Sequence, residues 1–415
     1  MTLRNNGPRS TVAKAAKLLA GGELQEAERL LDAALQQSTL EASERALLLT
    51  EAAQVALRQG NWPAAKTLLD EALELVSVTG DLGEFSTWAT ASERKAWLLF
   101  REGKFPQARI VAESLLFELQ RQHDKDPKLL AAIHNTLGGI AWHDGKHEVA
   151  FNHTRQSAEL FREANDAAGA ANAFANLGVL EHARGDWAQA TRDFIESERI
   201  RTENGIVEGR ATVVFNLGVI DMVTGDYDTA RRRFNESLRL ARETGEMYEC
   251  GRIAMTLAHL SVLEQRFEEA HRLLQDVASS ASMSDDDRLQ ASWLNALVEC
   301  NRGAPEQGIG IASLARDTAK RWGLIEAELD SCRALGTSYR RAARYAEAQQ
   351  VLLEAVQLAD KLGDAYRRAM VLLELGTVRT EAQQDPNACL DEASAAFEQL
   401  GADANVERAR ALRSH

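Results

Sequence analysis

The sequence is poor in residues that break helices or cross-link chains. Its 415 residues include six prolines and four cysteines, and no long stretch alternates apolar and polar residues as a half-buried strand does. The four cysteines lie far apart without a CxxC pair, which argues against both a disulfide framework and a zinc site. Abundant Ala, Leu, Glu, Arg and Gln favour helix instead. We therefore predict an all-α fold.

Long apolar runs and catalytic motifs are lacking as well. No segment approaches the ~20 apolar residues of a membrane span, and Met1 to Ser10 lacks the apolar stretch of a signal peptide. The phosphate-loop, HExxH and GxSxG motifs are absent. A net charge of −14 disfavours non-specific binding to nucleic acid. We expect a cytoplasmic, non-enzymatic protein with no cofactor, no nucleic-acid partner and no membrane insertion.

Two histidines suggest a metal site only at first sight. His143 and His147 have the i, i+4 spacing of zinc ligands, but Gly145 between them predicts a turn. The pair therefore does not share one helical face, as ligands at this spacing must. We expect no metal.

What the chain does contain is a short phrase that returns about every 40 residues. The phrase is a turn, an aromatic or apolar residue, and an alanine three positions later. Its copies begin at Gly22, Gly60, Gly103, Gly145, Gly185 and Gly225, and weaker ones at Gln265, Gly303, Ala343 and Gln384. Each unit of such an array buries its apolar face on its neighbours, so a long chain needs no division into separate cores.

One unit, residues 167–204, shows the physics. A first helix containing Gly178 ends at Gly185, Asp186 caps a second helix, and Trp187 and Phe194 lie on the buried side of that helix. The two form an antiparallel hairpin in which small residues allow close approach. About ten such hairpins predict an α-solenoid, a right-handed superhelix with first helices on its concave face.

The domain limits follow from this register. We assign residues 1–10 to a flexible N-terminal segment, 11–401 to the superhelix and 402–415 to a capping helix and tail. A softened joint is expected near 279–310, where a serine- and aspartate-rich stretch is followed by Gly308 and Gly310 in a predicted helix.

The order Leu-Gly, Gly-Asp-aromatic, Ala, Phe and a small residue resembles the tetratricopeptide repeat, with units longer than the usual 34 residues. Asn-Leu-Gly at Asn176 and Asn216 is similar to the repeats of kinesin light chain, the adaptor Pins and bacterial regulators of the maltose-activator type. The segment Ala396 to Ala402 resembles the end of the last group. The resemblance implies binding of a peptide or protein in the concave groove, with Asn176 and Asn216 taking part.

The register also predicts which side chains face that groove. Amides suit a peptide backbone because they both donate and accept hydrogen bonds, and arginines suit an acidic ligand. The predicted partner-binding residues are Asn135, Asn172, Asn176, Thr212, Asn216, Arg252, His259, Trp97 and Arg101, with Arg333, Arg340 and Arg341 in the same arginine patch. Two alternatives stay open: the asparagines bond neighbouring hairpins, and the arginines pair with Asp or Glu.

These patterns predict a protein- or peptide-binding scaffold or adaptor. The alternative is a ligand-sensing or autoinhibitory module of a bacterial signalling or transcription regulator. A third hypothesis is a homo-oligomer formed through the end units.

Overall fold

The structure is a computed structural model that describes residues 7–122, 126–278 and 284–413. Within these ranges it contains helices, turns and loops but no strand, which confirms the all-α prediction. The chain forms two compact units, Met1–Leu177 (unit 1) and Gly178–His415 (unit 2). Most of the predicted N-terminal segment and residues 279–283 of the predicted joint lie outside the described residues.

Unit 1 begins with helical hairpins. Its helices are α1 (Pro8–Ala20), α2 (Leu24–Leu35), α3 (Ala42–Arg58), α4 (Trp62–Leu75), α5 (Leu82–Arg101), α6 (Phe105–Arg121), α7 (Pro127–His143) and α8 (His147–Glu163). Helix α9 (Ala167–Arg184) contains the boundary between the units. Helix α1 therefore starts within the segment that the sequence assigned to a flexible terminus.

Unit 2 continues the same alternation. Its helices are α10 (Trp187–Glu203), α11 (Arg210–Thr224), α12 (Tyr227–Glu243), α13 (Met247–Leu263), α14 (Phe267–Ala278), α15 (Asp285–Asn301), α16 (Pro305–Trp322), α17 (Ile325–Arg341), α18 (Tyr345–Leu362), α19 (Ala365–Glu381), α20 (Asn387–Leu400) and α21 (Asp403–Arg413). Across the described ranges this makes ten hairpins and a final helix, as an α-solenoid requires. We call the odd-numbered helix of each hairpin its first helix.

The hairpin turns depend on a residue with positive φ. Gly185 and Gly225 have φ of 82° and 95°, a region that glycine enters without steric cost. The next residue then caps the second helix: the Asp186 side chain accepts a hydrogen bond from the backbone N–H of Gln189. The predicted turn and cap are both confirmed.

A second set of glycines lets the two helices of a hairpin touch. A Cβ atom at Gly178 would lie 2.7 Å from the ring of Phe194, and one at Gly218 would lie 2.8 Å from the ring of Phe234. Both rings are fully buried. The close approach predicted at Gly178 is therefore present, with a phenylalanine ring as its partner.

Helix α16 contains the glycines from which the sequence predicted a softened joint. It runs unbroken through Gly308 and Gly310. A Cβ at Gly308 would lie 2.8 Å from both Cys300 Cβ and Ser338 Oγ. This glycine lets α16 pack closely against α15 and α17, a role that helix propensity alone does not reveal.

Candidate functional site

The first helices carry part-exposed side chains spaced i, i+4, i+7, which places them on one face of each helix. We call this face the first-helix stripe. Its members include Asn135 on α7, Asn172 and Asn176 on α9, Thr212 and Asn216 on α11, Arg252, Thr256 and His259 on α13, and Arg333 and Arg340 on α17. Neighbouring first helices pack against one another within each unit, so the stripe continues from helix to helix there.

In unit 1 two stripe asparagines are joined across neighbouring hairpins. Asn176 Nδ2 donates to Asn135 Oδ1 at 2.9 Å. Asn176 is exposed and Asn135 is half-buried. An amide has two N–H donors and an oxygen with two lone pairs, so one bond orients the two groups without exhausting them. The bonding alternative left open by the sequence does occur, and it is compatible with ligand binding.

Helix α5 holds the predicted aromatic and basic pair of unit 1. The Arg101 guanidinium carbon lies 5.5 Å from the centre of the Trp97 ring and 6.0 Å from that of Trp62, within cation–π range. Arg94 has an internal partner, because it donates a hydrogen bond to Glu51 at 3.0 Å. Arg101 is the exposed cation of this patch.

In unit 2 the stripe arginines have internal partners. Arg333 pairs with Glu374 at 2.7 Å and Asp330 at 3.4 Å. Arg340 pairs with Glu381 at 2.5 Å. Arg341 donates to Asn301 at 2.7 Å, and Arg252 pairs with Glu249 at 2.6 Å while lying over the Phe215 ring. Internal pairing, the alternative to an acidic ligand, is what the contacts show.

Sequence reasoning missed these partners, although their spacing is regular. The pairs Asn135/Asn176, Arg333/Glu374 and Arg340/Glu381 are each separated by 41 residues. That separation is about one repeat, which brings the same helix face of two neighbouring hairpins together. A search for complementary polar residues one repeat apart would have found them.

His259 lies beside Trp293, whose indole nitrogen has no hydrogen-bond partner among the described residues. Its ring meets that of Trp293 at 90°, with centres 5.4 Å apart. Burial, with the positive charges of Arg333 and Arg367, lowers the pKa of His259 to about 4. Trp293 is 7% exposed, and its Nε1 has no hydrogen-bond partner among the described residues. The same holds for Arg333 Nε and Glu374 Oε2 within those ranges. Buried polar atoms usually have partners, so this part of unit 2 has hydrogen-bonding capacity to spare.

The histidines that suggested a metal site make ring contacts. His143 stacks on Phe105 with ring centres 3.6 Å apart, and His147 lies 4.7 Å from the Trp142 ring. Over the described ranges no group of three or more His, Cys, Asp or Glu side chains is arranged to hold a metal ion. Nor is any helix there both long enough and apolar enough to cross a bilayer.

Comparison with known families matches this architecture. Residues 129–203, which cover α7 to α10, match the model of the tetratricopeptide repeat, and the hairpins before and after them repeat the same pattern. Residues 129–203 are tetratricopeptide repeats. No curated protein sequence matches the chain.

Solved tetratricopeptide-type structures resemble it in fold. The apo form of the quorum sensor NprR from B. thuringiensis has a TM-score of 0.63 and 13% identity, covering 84% of this chain and 98% of that one. Aspartyl phosphate phosphatase F from Bacillus subtilis has a TM-score of 0.57 and 12% identity, covering 86% and 96%. The Rap conjugation gene regulator of plasmid pLS20, in complex with the Phr* peptide, has a TM-score of 0.54 and 13% identity, covering 85% and 94%.

Thr136 and Phe215 are the chain neighbours of the stripe residues Asn135 and Asn216. Thr136 is 2% exposed and Phe215 is 6% exposed, so both belong to the core. Asn135, 41 residues before Asn176, is the stripe residue of α7, because the repeat interval is not an exact 40 there.

A histidine pair in unit 1, with His134 buried and His153 half-buried, predicts a pH dependence of stability. His134 is 9% exposed, and its Nδ1 lies 2.8 Å from His153 Nδ1. Burial and the neighbouring His153 lower the pKa of His134 to about 4, against ~6.5 in an unfolded chain. Between these values the unfolded state binds more protons, so stability is full above pH 6.5 and falls as the pH drops towards 4.

We expect the free energy of unfolding to fall by up to ~1.4 kcal/mol per pH unit from this histidine in that window. Guanidinium unfolding at pH 7, 6 and 5 measures the slope. The variant His134→Gln should show a shallower slope than the wild type. Identical slopes would contradict the interpretation.

Proposed function

We propose that the chain is a non-enzymatic, cytoplasmic adaptor that binds an extended polypeptide along its first-helix stripe. The observation that carries the proposal is the Asn135–Asn176 pair. These amides are held in place by one hydrogen bond and keep further donors and acceptors. An extended peptide presents backbone N–H and C=O groups, which such amides can satisfy together.

The charges of unit 2 support a polypeptide rather than an anion. Arg333 already faces two carboxylates, Asp330 and Glu374. A further negative charge bound beside Arg333 would be repelled by both of these carboxylates. The unpartnered Trp293 Nε1 and Glu374 Oε2 offer one donor and one acceptor, which matches the uncharged amide groups of a peptide backbone.

The structural likeness supports the same class of partner. One of the similar proteins is described as a conjugation gene regulator in complex with a peptide, and the shared fold covers most of this chain.

A second candidate function is a sensing or autoinhibitory module of a bacterial regulator. It is favoured by the contact between the opening and final helices of unit 2 described below. Self-association through the end hairpins stays a prediction.

Replacing Asn176 with alanine tests the proposal. Peptides would first be selected from a random-sequence library on the immobilised wild-type chain. We expect the selected peptides to bind Asn176→Ala about 5–30-fold more weakly, since one or two hydrogen bonds of ~1 kcal/mol are lost. Fluorescence anisotropy measures the dissociation constants, and circular dichroism checks that helix content is unchanged.

The matched control is Asn152→Ala. Asn152 is an exposed asparagine on the second helix α8, outside the stripe, and its loss should leave affinity unchanged. Asn216→Ala tests the stripe of unit 2 separately. If the library yields no binding peptide, polypeptide binding is refuted. If Asn152→Ala weakens binding as much as Asn176→Ala does, the stripe is not the site.

A further inference from the structure

In unit 2 the last helices return to contact the first ones. The rings of Trp187 on α10 and Tyr366 on α19 meet edge to face, with centres 5.4 Å apart. A Cβ at Gly185 would lie 2.7 Å from Leu400 Cδ2, and one at Gly225 would clash with Ala404 Cβ. Hairpins α13–α14, α15–α16 and α17–α18 separate these partners in sequence. The two ends of unit 2 therefore meet.

The turn glycines at this contact differ from the others. Gly60, Gly103, Gly145 and Gly303 also have positive φ, yet a Cβ at any of them would meet no atom within 4 Å. Only the conformation of the turn accounts for glycine at those four positions. At Gly185 and Gly225 the missing side chain also makes room for the C-terminal segment.

Asn405 on α21 fixes the position of that segment. Its side chain is 4% exposed, and Nδ2 lies 3.5 Å from the carbonyl oxygen of Val223 on α11. It also lies close enough to the hydroxyl of Tyr366 to influence its pKa. Burial raises the pKa of Tyr366 to about 12, so the hydroxyl stays neutral. Tyr366 thus joins α10, α21 and, through Phe397 at 6.0 Å, α20.

Two stripe residues of unit 2, His259 and Arg333, lie near the residues of this contact. His259 on α13 lies within electrostatic range of Arg333 on α17 and Arg367 on α19, although α15 lies between these helices in sequence. Arg333 in turn interacts with the Tyr366 hydroxyl. The groups that would bind a peptide are therefore coupled directly to the residues that close the unit.

We infer that Tyr366, Leu400, Ala404 and Asn405 form a C-terminal latch, which holds unit 2 closed over its first-helix stripe and must release before a polypeptide binds there. The inference rests on the proposed function and adds its regulation. The latch is made by few side chains, its contact to Val223 is at the limit of hydrogen-bond length, and Ala404 stays exposed. An open state populated at about 0.1–10% lowers the apparent affinity by that fraction.

The full-length double variant Leu400→Ala/Asn405→Ala removes latch contacts without adding volume. Hydrogen exchange without peptide is expected to accelerate about tenfold or more in α21 and in the 223–226 turn. Association of the library-selected peptides with unit 2 is expected to become at least about fivefold faster, since the open fraction rises. Leu353→Ala, at an exposed leucine of α18, is the matched control and should change neither quantity. Ala404→Arg opens the latch by added bulk and should act in the same direction.

The outcomes separate the two proposals. Unchanged exchange in both latch variants would overturn the latch. Faster exchange with unchanged peptide association would overturn its control of binding while leaving the adaptor function intact. If neither the wild type nor any variant binds a selected peptide, the proposed function fails and the latch has no ligand to regulate.

Discussion

Replacing Phe234 with alanine is expected to lower the free energy of unfolding of unit 2 by about 3–5 kcal/mol. The ring is fully buried, lies 5.5 Å from the Phe215 ring and fills the space left by Gly218. Its loss opens a cavity between α11 and α12. Because each hairpin is stabilised by its neighbours, the effect should reach beyond these two helices.

Denaturant unfolding combined with hydrogen exchange of residues 178–415 measures this loss. Tyr248→Ala is the control, because that aromatic ring is 50% exposed and should change stability by no more than ~0.5 kcal/mol. Gly218→Ala alone should cost about 1–3 kcal/mol by overpacking. Combined with Phe234→Leu it should cost less than the sum of the two single changes. A strictly additive double variant would contradict the contact.

The hairpins could be predicted from the sequence because their determinants are local and periodic. Gly185, Asp186 and Phe194 lie within a few turns of one another, and each has one steric or hydrogen-bonding task. Repetition at about 40 residues made the signal strong. The same logic underestimated Gly308, because helix propensity describes an isolated helix and not the neighbours that require a small residue.

The site was less predictable for two physical reasons. First, a one-residue change in repeat interval decides whether Asn135 or Thr136 lies on the stripe, and periodicity alone does not resolve it. Second, the contact of Asn405 with Val223 joins residues 182 positions apart. Such a contact depends on the small rotation added by every hairpin in between. No local pattern in the chain specifies that sum.

Variants of Arg333 can distinguish a structural role from a ligand-binding role for this stripe residue. Its side chain is 15% exposed, and its partners Glu374 and Asp330 are 22% and 15% exposed. Removing the guanidinium leaves two part-buried carboxylates without the cation they share, so Arg333→Met is expected to cost about 3–5 kcal/mol of stability. Neutralising a partner as well should recover most of the loss, because Asp330 still lies near Arg367, at 4.0 Å.

The test is a comparison of Arg333→Met with Arg333→Met/Glu374→Met by denaturant unfolding, followed by peptide binding to the stable double variant. Arg239→Met, at an exposed ion pair on α12, should leave stability unchanged. If Arg333→Met were as stable as the wild type, the Arg333–Glu374 ion pair would be too well hydrated to contribute to stability. A stable double variant that binds selected peptides normally would assign Arg333 and Glu374 to the fold, whereas weakened binding would assign the unpartnered Arg333 Nε or Glu374 Oε2 to the ligand.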